Sequence, residues 1–277
     1  MKGRLVLNSV LKVVIQAIII VVVLGPIYWM VSSSFKTVRE IMSTAPTLFP
    51  RDFTLTGYMR LFRQGTFVPL LCNSIIISAL TTVFSGVIAT AAGFGTYFGR
   101  MKWLRSLKLI SILAFVFPTT LLIVPIYQIL VAIRAVDTVM GLVLVNIMLT
   151  APFSFWLLEG FFDSIPRELE EAALIDGASR FQVNTKVILP LIRPGLATVV
   201  IYSFVMSWTE YSFSSVLVID PHLKTLPLGV ADVLAQYNID WSLLTATTSL
   251  AMVPGIIFFA LAGKHFISGL VSGALKA

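Results

Sequence analysis

Six long apolar runs occupy most of this 277-residue chain and constrain its fold more than any other feature. Each run is close to the roughly 20 residues that an α-helix needs to cross a lipid bilayer. The runs are continuous and do not alternate apolar with polar residues, which favours helices over strands. The sequence therefore predicts an all-α integral membrane protein with six transmembrane helices. The predicted spans are residues 13–34, 73–98, 109–133, 139–162, 195–219 and 243–262.

The composition agrees with a membrane protein and excludes several other classes. Charged residues make up 12% of the chain, about half of what is typical for a soluble domain. The single cysteine, Cys72, cannot form a disulfide within the chain, and neither His222 nor His265 belongs to a cluster of metal ligands. The net charge of +7 does not indicate nucleic-acid binding, because the basic residues are distributed between the apolar runs.

The placement of Lys and Arg predicts the orientation. With both termini in the cytoplasm, most of the 20 basic residues lie in internal segments, as the positive-inside rule requires. The first run is longer than a signal-peptide core, so we expect an uncleaved anchor, with cleavage near Ser32 as the alternative. The predicted parts are a cytoplasmic N-terminus (1–12), a first span (13–34), an extracytoplasmic loop (35–72), a five-span core (73–266) and a cytoplasmic tail (267–277).

A polar segment, residues 163–190, separates the fourth and fifth runs and is predicted to form two short helices. Asp163 and Ser164 are suited to cap the first helix, whose first turn contains Pro166. Glutamates follow near the positive end of the helix dipole, which favours them. One stripe of this helix, with small side chains that let another backbone come close, consists of Leu169, Ala172, Ala173 and Asp176.

The second half of the 163–190 segment contains a turn and a new helix start. Gly177 suits the left-handed conformation that ends a helix. Ser179 and Gln182 have the spacing of a capping box, which begins the second helix. Leu189-Pro190 is predicted to end that helix before the fifth run. The expected product is a helix-turn-helix knob on the cytoplasmic surface, with a partnerless interfacial hairpin as the alternative.

The 163–190 segment resembles the EAA loop of ABC-importer permeases, the surface that engages the ATP-hydrolysing subunit. Val187 stands where that family usually has Ile, which is a conservative difference. The resemblance implies that the residues coupling this chain to an ATPase are Glu170, Glu171, Ala172, Ala173, Asp176, Gly177, Ala178, Leu189 and Pro190.

Matches elsewhere are similar to the carbohydrate-uptake branch of these permeases, whose best-known member transports maltose. Thr209 stands where the branch often has Asn. The segments that carry this likeness include Asn73-Ser74, Pro125-Ile126-Tyr127 and Ser207-Trp208-Thr209-Glu210-Tyr211.

The resemblance implies a permease subunit that moves a carbohydrate into the cytoplasm by alternating access, and we expect a di- or oligosaccharide. It implies a multi-pass protein of the bacterial or archaeal cytoplasmic (inner) membrane. It also implies a second permease subunit, two ATPase subunits and an extracytoplasmic solute-binding protein, which residues 35–72 are expected to contact unless they form an interfacial loop. The chain contains no phosphate-binding G-x-x-x-x-G-K-[ST] motif. We therefore expect no cofactor and no enzymatic activity in this chain, with ATP and Mg²⁺ bound by the ATPase.

Three alternatives remain open at this point. The same architecture could import glycerol phosphate or another polyol. A self-sufficient secondary transporter is disfavoured, because the two halves show no convincing inverted repeat. An intramembrane enzyme is disfavoured, because the sequence has no cluster of catalytic side chains.

Polar residues inside the apolar runs are the candidates for the solute pathway, because such residues usually face a cavity or another helix. Glu210, beside Trp208 and Tyr211, offers an acceptor and aromatic faces of the kind that suit a sugar. The alternative is that Glu210 lies near the outer interface, where its carboxylate reaches the solvent or pairs with a neighbouring permease. Gln128 and Asn146 are further candidates, for which hydrogen bonds between helices are an equal explanation.

Overall fold

The computed structural model describes residues 2–99 and 104–274, and all regular structure within these ranges is helical, which confirms the all-α prediction. Residues 275–277 of the predicted tail lie outside the described ranges. Shorter turns are 3-10 helices at Thr119–Leu122 and Pro221–Leu223 and a π-helical turn at Val183–Ile188. The α-helices are α1 (Lys2–Ser33), α2 (Val38–Ile41), α3 (Thr56–Arg63), α4 (Phe67–Tyr97), α5 (Leu104–Val116), α6 (Ile123–Ala132), α7 (Val139–Phe162), α8 (Arg167–Ile175), α9 (Arg180–Gln182), α10 (Leu189–Leu191), α11 (Arg193–Trp208), α12 (Ser214–Leu217), α13 (Leu226–Leu234) and α14 (Trp241–Ala274).

Four of the described helices contain a stretch long and apolar enough to cross a membrane. These stretches correspond to the first, second, fourth and sixth predicted spans. A fifth arises if the helical stretch Arg180–Leu191 and helix α11, which meet at an angle of 72°, are counted together. The four stretches are Leu11–Ser33, Phe67–Tyr97, Val139–Phe162 and Trp241–Ala260.

The other two predicted spans are not single helices. Residues 109–133 are divided, because α5 ends at Val116 and α6 begins only at Ile123. Pro118 lies at this break with an extended backbone (φ −62°, ψ 109°), and proline has no N–H with which to continue a helix. Residues 195–219 are also divided, because α11 ends at Trp208. Beyond it, the carboxylate of Glu210 accepts backbone N–H groups that would otherwise continue the helix.

The chain folds into two compact units. The first contains the chain up to Val68 together with Val230–Val253. The second contains Pro69–Gly229 and the chain from Pro254 onward. In the first unit, none of the residues of α1 from Leu11 to Val31 is buried, so its apolar surface is available to lipid or to another protein.

The loop after α1 is an ordered part of the first unit. Lys36 is 1% exposed, donates its ammonium group to the carbonyl of Thr47, and lies 4.3 Å from the ring centroid of Trp29. The hydroxyl of Thr47 and the backbone N–H of Arg51 donate to Glu40 and lower the pKa of its carboxyl group. Since the lowered pKa favours the charged form, this contact stabilises the loop above the ordinary carboxyl pKa and is lost as the pH falls through the lowered value.

Helix contacts in the second unit depend on two glycines that accept aromatic rings. A Cβ atom on Gly93 of α4 would lie 2.2 Å from the ring of Phe162, and one on Gly195 of α11 would lie 2.5 Å from the ring of Phe161. Both rings are at the end of α7. The two glycines therefore let α4 and α11 approach α7 more closely than any other residue would allow.

Hydroxyl pairs connect the same three helices. Ser85 of α4 and Thr150 of α7 are 2.7 Å apart, and Ser154 of α7 and Ser203 of α11 are 3.1 Å apart. The third pair joins α4 to α11, where the Ser207 hydroxyl donates to Thr81 over 3.4 Å. Each pair of helices thus shares one hydroxyl contact, which keeps these buried polar groups hydrogen-bonded.

We predict that Gly93→Ala destabilises the protein, because the added methyl group overlaps the Phe162 ring and overpacking of this kind costs about 1–3 kcal/mol. Thermal unfolding of the purified protein in detergent measures the effect. Gly86→Ala on the same helix is the matched control, because its Cβ meets nothing within 4 Å. Equal melting temperatures for the two variants would show that the Gly93 contact is unimportant.

Candidate functional site: the 163–190 segment and a cavity

The 163–190 segment begins differently from the prediction. Helix α8 starts after Pro166 and has no side-chain cap. Asp163 is the C-cap residue of α7, and the Ser164 hydroxyl donates to the carbonyl of Phe161 over 2.8 Å. The predicted capping of α8 by Asp163 and Ser164 is therefore wrong, because both residues belong to the end of α7.

The turn between the two short helices agrees with the prediction. Gly177 has a φ of +83°, and its N–H donates to the carbonyl of Leu174 over 3.1 Å. The N–H of Ala178 donates to the carbonyl of Ala173 over 3.0 Å, which completes the Schellman motif. The Ser179 hydroxyl and the Gln182 side chain then form the reciprocal bonds of a capping box.

The end of the 163–190 segment also differs from the prediction. Leu189-Pro190 does not end the second helix, since helical structure continues to Leu191. Pro190 lies directly after the π-helical turn Val183–Ile188, near the end of the helical stretch Arg180–Leu191. The break falls at Ile192 (φ −88°, ψ 3°), two residues before Pro194, and produces the 72° angle between the segment and α11.

One side of the segment packs against helices of the second unit, to which the segment itself belongs. Ala173, Ala178 and Leu189 contact the buried cluster that contains the ends of α4 and α7. The guanidinium group of Arg167 lies 5.1 Å from the ring centroid of Tyr97, and Arg180 lies 5.9 Å from that of Phe98. These apolar and cation–π contacts hold the segment to the end of α4.

The opposite side of the segment is exposed and carries both charge and apolar surface. Ile175 is 85% exposed and Phe181 is 75% exposed, although both are large apolar side chains. Of the nine residues implied as coupling residues, five are half-buried, namely Glu170, Ala173, Ala178, Leu189 and Pro190. Those that are exposed are Glu171, Ala172, Asp176 and Gly177.

A cavity of about 780 Å³ lies elsewhere in the second unit. Its walls come from α5, α7, α11 and the chain that follows α11. Most lining residues of α5 and α7 recur at i, i+3 and i+4 spacing, so each of these two helices presents one face to the cavity. The lining residues include Ile110, Leu113 and Ala114 of α5, Phe117 just after it, Asn146, Leu149, Thr150 and Phe153 of α7, Tyr202 and Met206 of α11, and residues 209–213.

Three of the five predicted pathway residues line this cavity, namely Asn146, Glu210 and Tyr211. Trp208 does not line it, because its indole is buried against Phe204, with the ring centroids 5.6 Å apart. Gln128 is an exposed residue of α6 and is also outside the cavity. The structure therefore groups the first three residues and separates the other two from them.

The cavity also contains residues that the sequence alone did not single out. Phe153 and Tyr202 form an aromatic pair with centroids 4.4 Å apart and planes inclined by 42°. Thr150 and Thr209 add hydroxyl groups to the walls. Tyr202 shares a helical stripe with Thr209 at i, i+7 spacing, and this periodicity was the available signal.

Residues 91–270 match the family described as the binding-protein-dependent transport system inner membrane component. The chain belongs to this family. Over 91% of both chains it is 32% identical to the diacetylchitobiose uptake system permease DasC of Streptomyces coelicolor. Over 94% of both chains it is 30% identical to the inner membrane ABC transporter permease YcjP of Escherichia coli. A crystal structure of a bacterial ABC transporter that imports alginate has the same fold, with a TM-score of 0.80, 21% identity and coverage of 94% of this chain and 96% of that one.

These findings confirm the resemblance to ABC-importer permeases. The chain is a multi-pass inner-membrane component of a binding-protein-dependent transport system, and its relatives are transport subunits and not enzymes. The match begins within α4 and covers both the 163–190 segment and the cavity.

We predict that Ser179→Ala loosens the start of the second short helix, because loss of a capping hydroxyl costs about 1 kcal/mol. Hydrogen exchange of the backbone amides at residues 180–183 should accelerate. Ser164→Ala is the control, since its hydroxyl bonds only to the preceding turn and its loss should leave those amides unchanged. Equal exchange in both variants would contradict the role of the capping box.

Proposed function

We propose that this chain forms half of the transmembrane pathway of an ABC importer for a carbohydrate, with a di- or oligosaccharide as the solute. The observation that carries the proposal is the cavity, whose walls combine aromatic rings, hydroxyl groups and one carboxylate. A sugar offers apolar ring faces to Phe153 and Tyr202 and hydroxyl groups to Thr150 and Thr209. The relatives named for diacetylchitobiose uptake and alginate import support a saccharide.

The alternative solute, glycerol phosphate or another polyol, is not favoured, because the relatives are named for saccharides. The Glu210 carboxylate lies in the cavity wall and already accepts three hydrogen bonds from Phe213 and Ser214.

Six spans with both termini in the cytoplasm remain our proposed topology. The helix pairs α5–α6 and α11–α12 supply the third and fifth crossings as interrupted helices. Interrupted helices are tolerated at membrane depth where they line a cavity, and both interruptions contribute cavity residues, namely Thr119 and residues 209–213. The distribution of Lys and Arg supports a cytoplasmic location for the 163–190 segment.

The exposed side of the 163–190 segment is the proposed docking surface for the ATPase. Exposed apolar anchors surrounded by charge are typical of protein interfaces, and Ile175 and Phe181 provide them beside Glu171 and Asp176. ATP and Mg²⁺ belong to the ATPase in this proposal. The packing of Ala173 and Leu189 on the buried cluster gives a route by which movement of the ATPase reaches the helices.

A second permease subunit completes the pathway in this proposal. Ile110 and Leu113 of α5 and Phe117, which follows it, line the cavity although 55%, 59% and 47% of their surfaces are exposed. The cavity is thus incomplete within one chain, and an adjoining subunit supplies its remaining wall. The family's dependence on a binding protein supports delivery of solute from the outside, where we assign residues 35–72.

The proposal predicts that the protein purified from its native membrane retains an ATPase subunit and a second permease. Ile175→Asp should lower the retained ATPase by roughly tenfold or more, since a central interface anchor contributes about 2 kcal/mol or more, while the second permease stays bound. Quantitative mass spectrometry of the purified complex measures both. Thr185→Ala, on an exposed site of the same segment, is the control. A wild-type chain that purifies alone and transports solute without ATP would overturn the proposal.

We also predict that Tyr202→Ala lowers ATP-driven uptake of the transported sugar by about tenfold, because burying a ring of this size against an apolar face contributes about 1.5–3 kcal/mol. Tyr202→Phe retains the ring and should transport nearly as wild type does. Gln128→Ala, outside the cavity, should have no effect. The measurement is the initial uptake rate in proteoliposomes at equal amounts of assembled complex. Normal uptake by Tyr202→Ala would show that the Tyr202 ring is not part of the solute pathway.

A further inference from the structure

The chain from Thr209 to Asp220 forms part of the cavity wall and rests on the hairpin of α6 and α7. Its first five residues, 209–213, all line the cavity. Phe213 and Leu217 are each 2% exposed and pack into a buried cluster with residues of α6 and α7 that include Ile126. We call residues 209–220 the wall segment.

Glu210 holds the wall segment together from within. Its Oε1 accepts the backbone N–H of Phe213 over 2.7 Å, and its Oε2 accepts the backbone N–H and the hydroxyl of Ser214 over 3.0 Å and 2.7 Å. All of these partners lie in the same segment. The bonds therefore preserve the shape of the wall segment when it moves, but they do not fix its position.

Asp137 fixes the far end of the wall segment from outside it. Its Oδ1 accepts the backbone N–H groups of Ile219 and Asp220 over 2.8 Å and 2.9 Å. Its own N–H donates to the carbonyl of Leu217 over 3.0 Å. A single residue of the α6–α7 turn thus makes three hydrogen bonds to three residues near the end of the segment.

The turn that carries Asp137 is built to present it. Asp137 has a φ of 57° and Arg134 a φ of 55°, an uncommon conformation for residues other than glycine. The Thr138 hydroxyl donates to the carbonyl of Ala135 over 2.7 Å and accepts the N–H of Gly141 over 3.0 Å. These bonds hold the turn in shape whether or not the wall segment is attached.

We propose that Asp137 is a positioning residue that latches the wall segment across the outer end of the cavity, and that release of this latch opens the cavity to the outside. The inference rests on the proposed function and topology. Hydrogen bonds at the latch are directional, so a displacement of the wall segment breaks them, whereas the apolar contacts of Phe213 and Leu217 have no preferred direction. Ile219 is 70% exposed, so water is at hand to replace the Asp137 oxygen when the latch opens.

The test uses the complete importer in proteoliposomes with a reporter cysteine in the wall segment. Ser212→Cys provides the reporter, in a Cys72→Ser background because the native cysteine is exposed. The rate at which a membrane-impermeant maleimide added from outside modifies residue 212 is measured by mass spectrometry. In the same vesicles, ATP-dependent uptake is measured to establish that the importer functions.

Two variants of Asp137 distinguish the loss of its side-chain oxygen from a change in its backbone conformation. Asp137→Gly keeps the positive φ at little cost and removes the acceptor, and we expect labelling about tenfold faster or more, because hydrogen bonds to a charged group are lost. Asp137→Asn keeps an oxygen and tolerates the same backbone conformation, so its labelling should stay within about threefold of wild type. Labelling of the Asn variant as fast as that of the Gly variant would overturn the latch.

A second pair of variants tests the same contact from the wall segment, in case Asp137→Gly fails to assemble. Ile219→Pro removes one of the two N–H donors, and the extended backbone of Val218 (φ −96°, ψ 118°) suits a residue that precedes proline. Ile219→Ala keeps the donor and is the control. We expect faster labelling in the Pro variant alone, and wild-type rates in both would overturn the latch.

Two observations distinguish failure of the latch from failure of the proposed function. They are the membrane face from which residue 212 is labelled and the dependence of uptake on ATP. Residue 212 labelled only from the vesicle face opposite to the binding protein would contradict the proposed topology and with it the outer position of the latch. Uptake that needs no ATP would contradict the proposed function. Normal ATP-driven uptake with labelling unchanged in Asp137→Gly and Ile219→Pro would overturn the latch alone.

Discussion

Two neighbouring phenylalanine rings at the end of α7 organise the second unit. Phe162 occupies the space that Gly93 leaves on α4, and Phe161 occupies the space that Gly195 leaves on α11. Because both rings belong to one helix end, three helices meet at the base of the 163–190 segment. Displacement of that segment would therefore act on all three helices together, as the proposed coupling to an ATPase requires.

The long helices could be predicted from the sequence, because a bilayer requires about 20 consecutive apolar residues and little else satisfies that requirement. The interruptions could not be predicted equally well. Hydropathy averages over a whole span, so it does not respond to a local break. Pro118 is a helix breaker by its residue type, whereas no proline or glycine marks the end of α11 at Trp208.

The candidate site also has parts that could be predicted from the sequence and parts that could not. Gly177 and the Ser179–Gln182 capping box were predictable because these motifs involve residues at most a few positions apart. The cavity depends on which face of each helix meets the others. Trp208 and Gln128 have suitable side chains but lie outside the cavity, whereas Tyr202 lines it and only its i, i+7 spacing to Thr209 indicates this in the sequence.

The three hydroxyl pairs between α4, α7 and α11 have a consequence for the energetics of movement. A serine or threonine in a helix can bond to the carbonyl four residues earlier, and Thr150 already does so with Asn146 over 2.7 Å while it contacts Ser85. A hydroxyl that loses its neighbour therefore keeps an acceptor in its own helix, and no polar atom is stranded in hydrocarbon. These interhelical hydroxyl contacts therefore hold the resting arrangement of the helices, and they can break with little loss of hydrogen bonding.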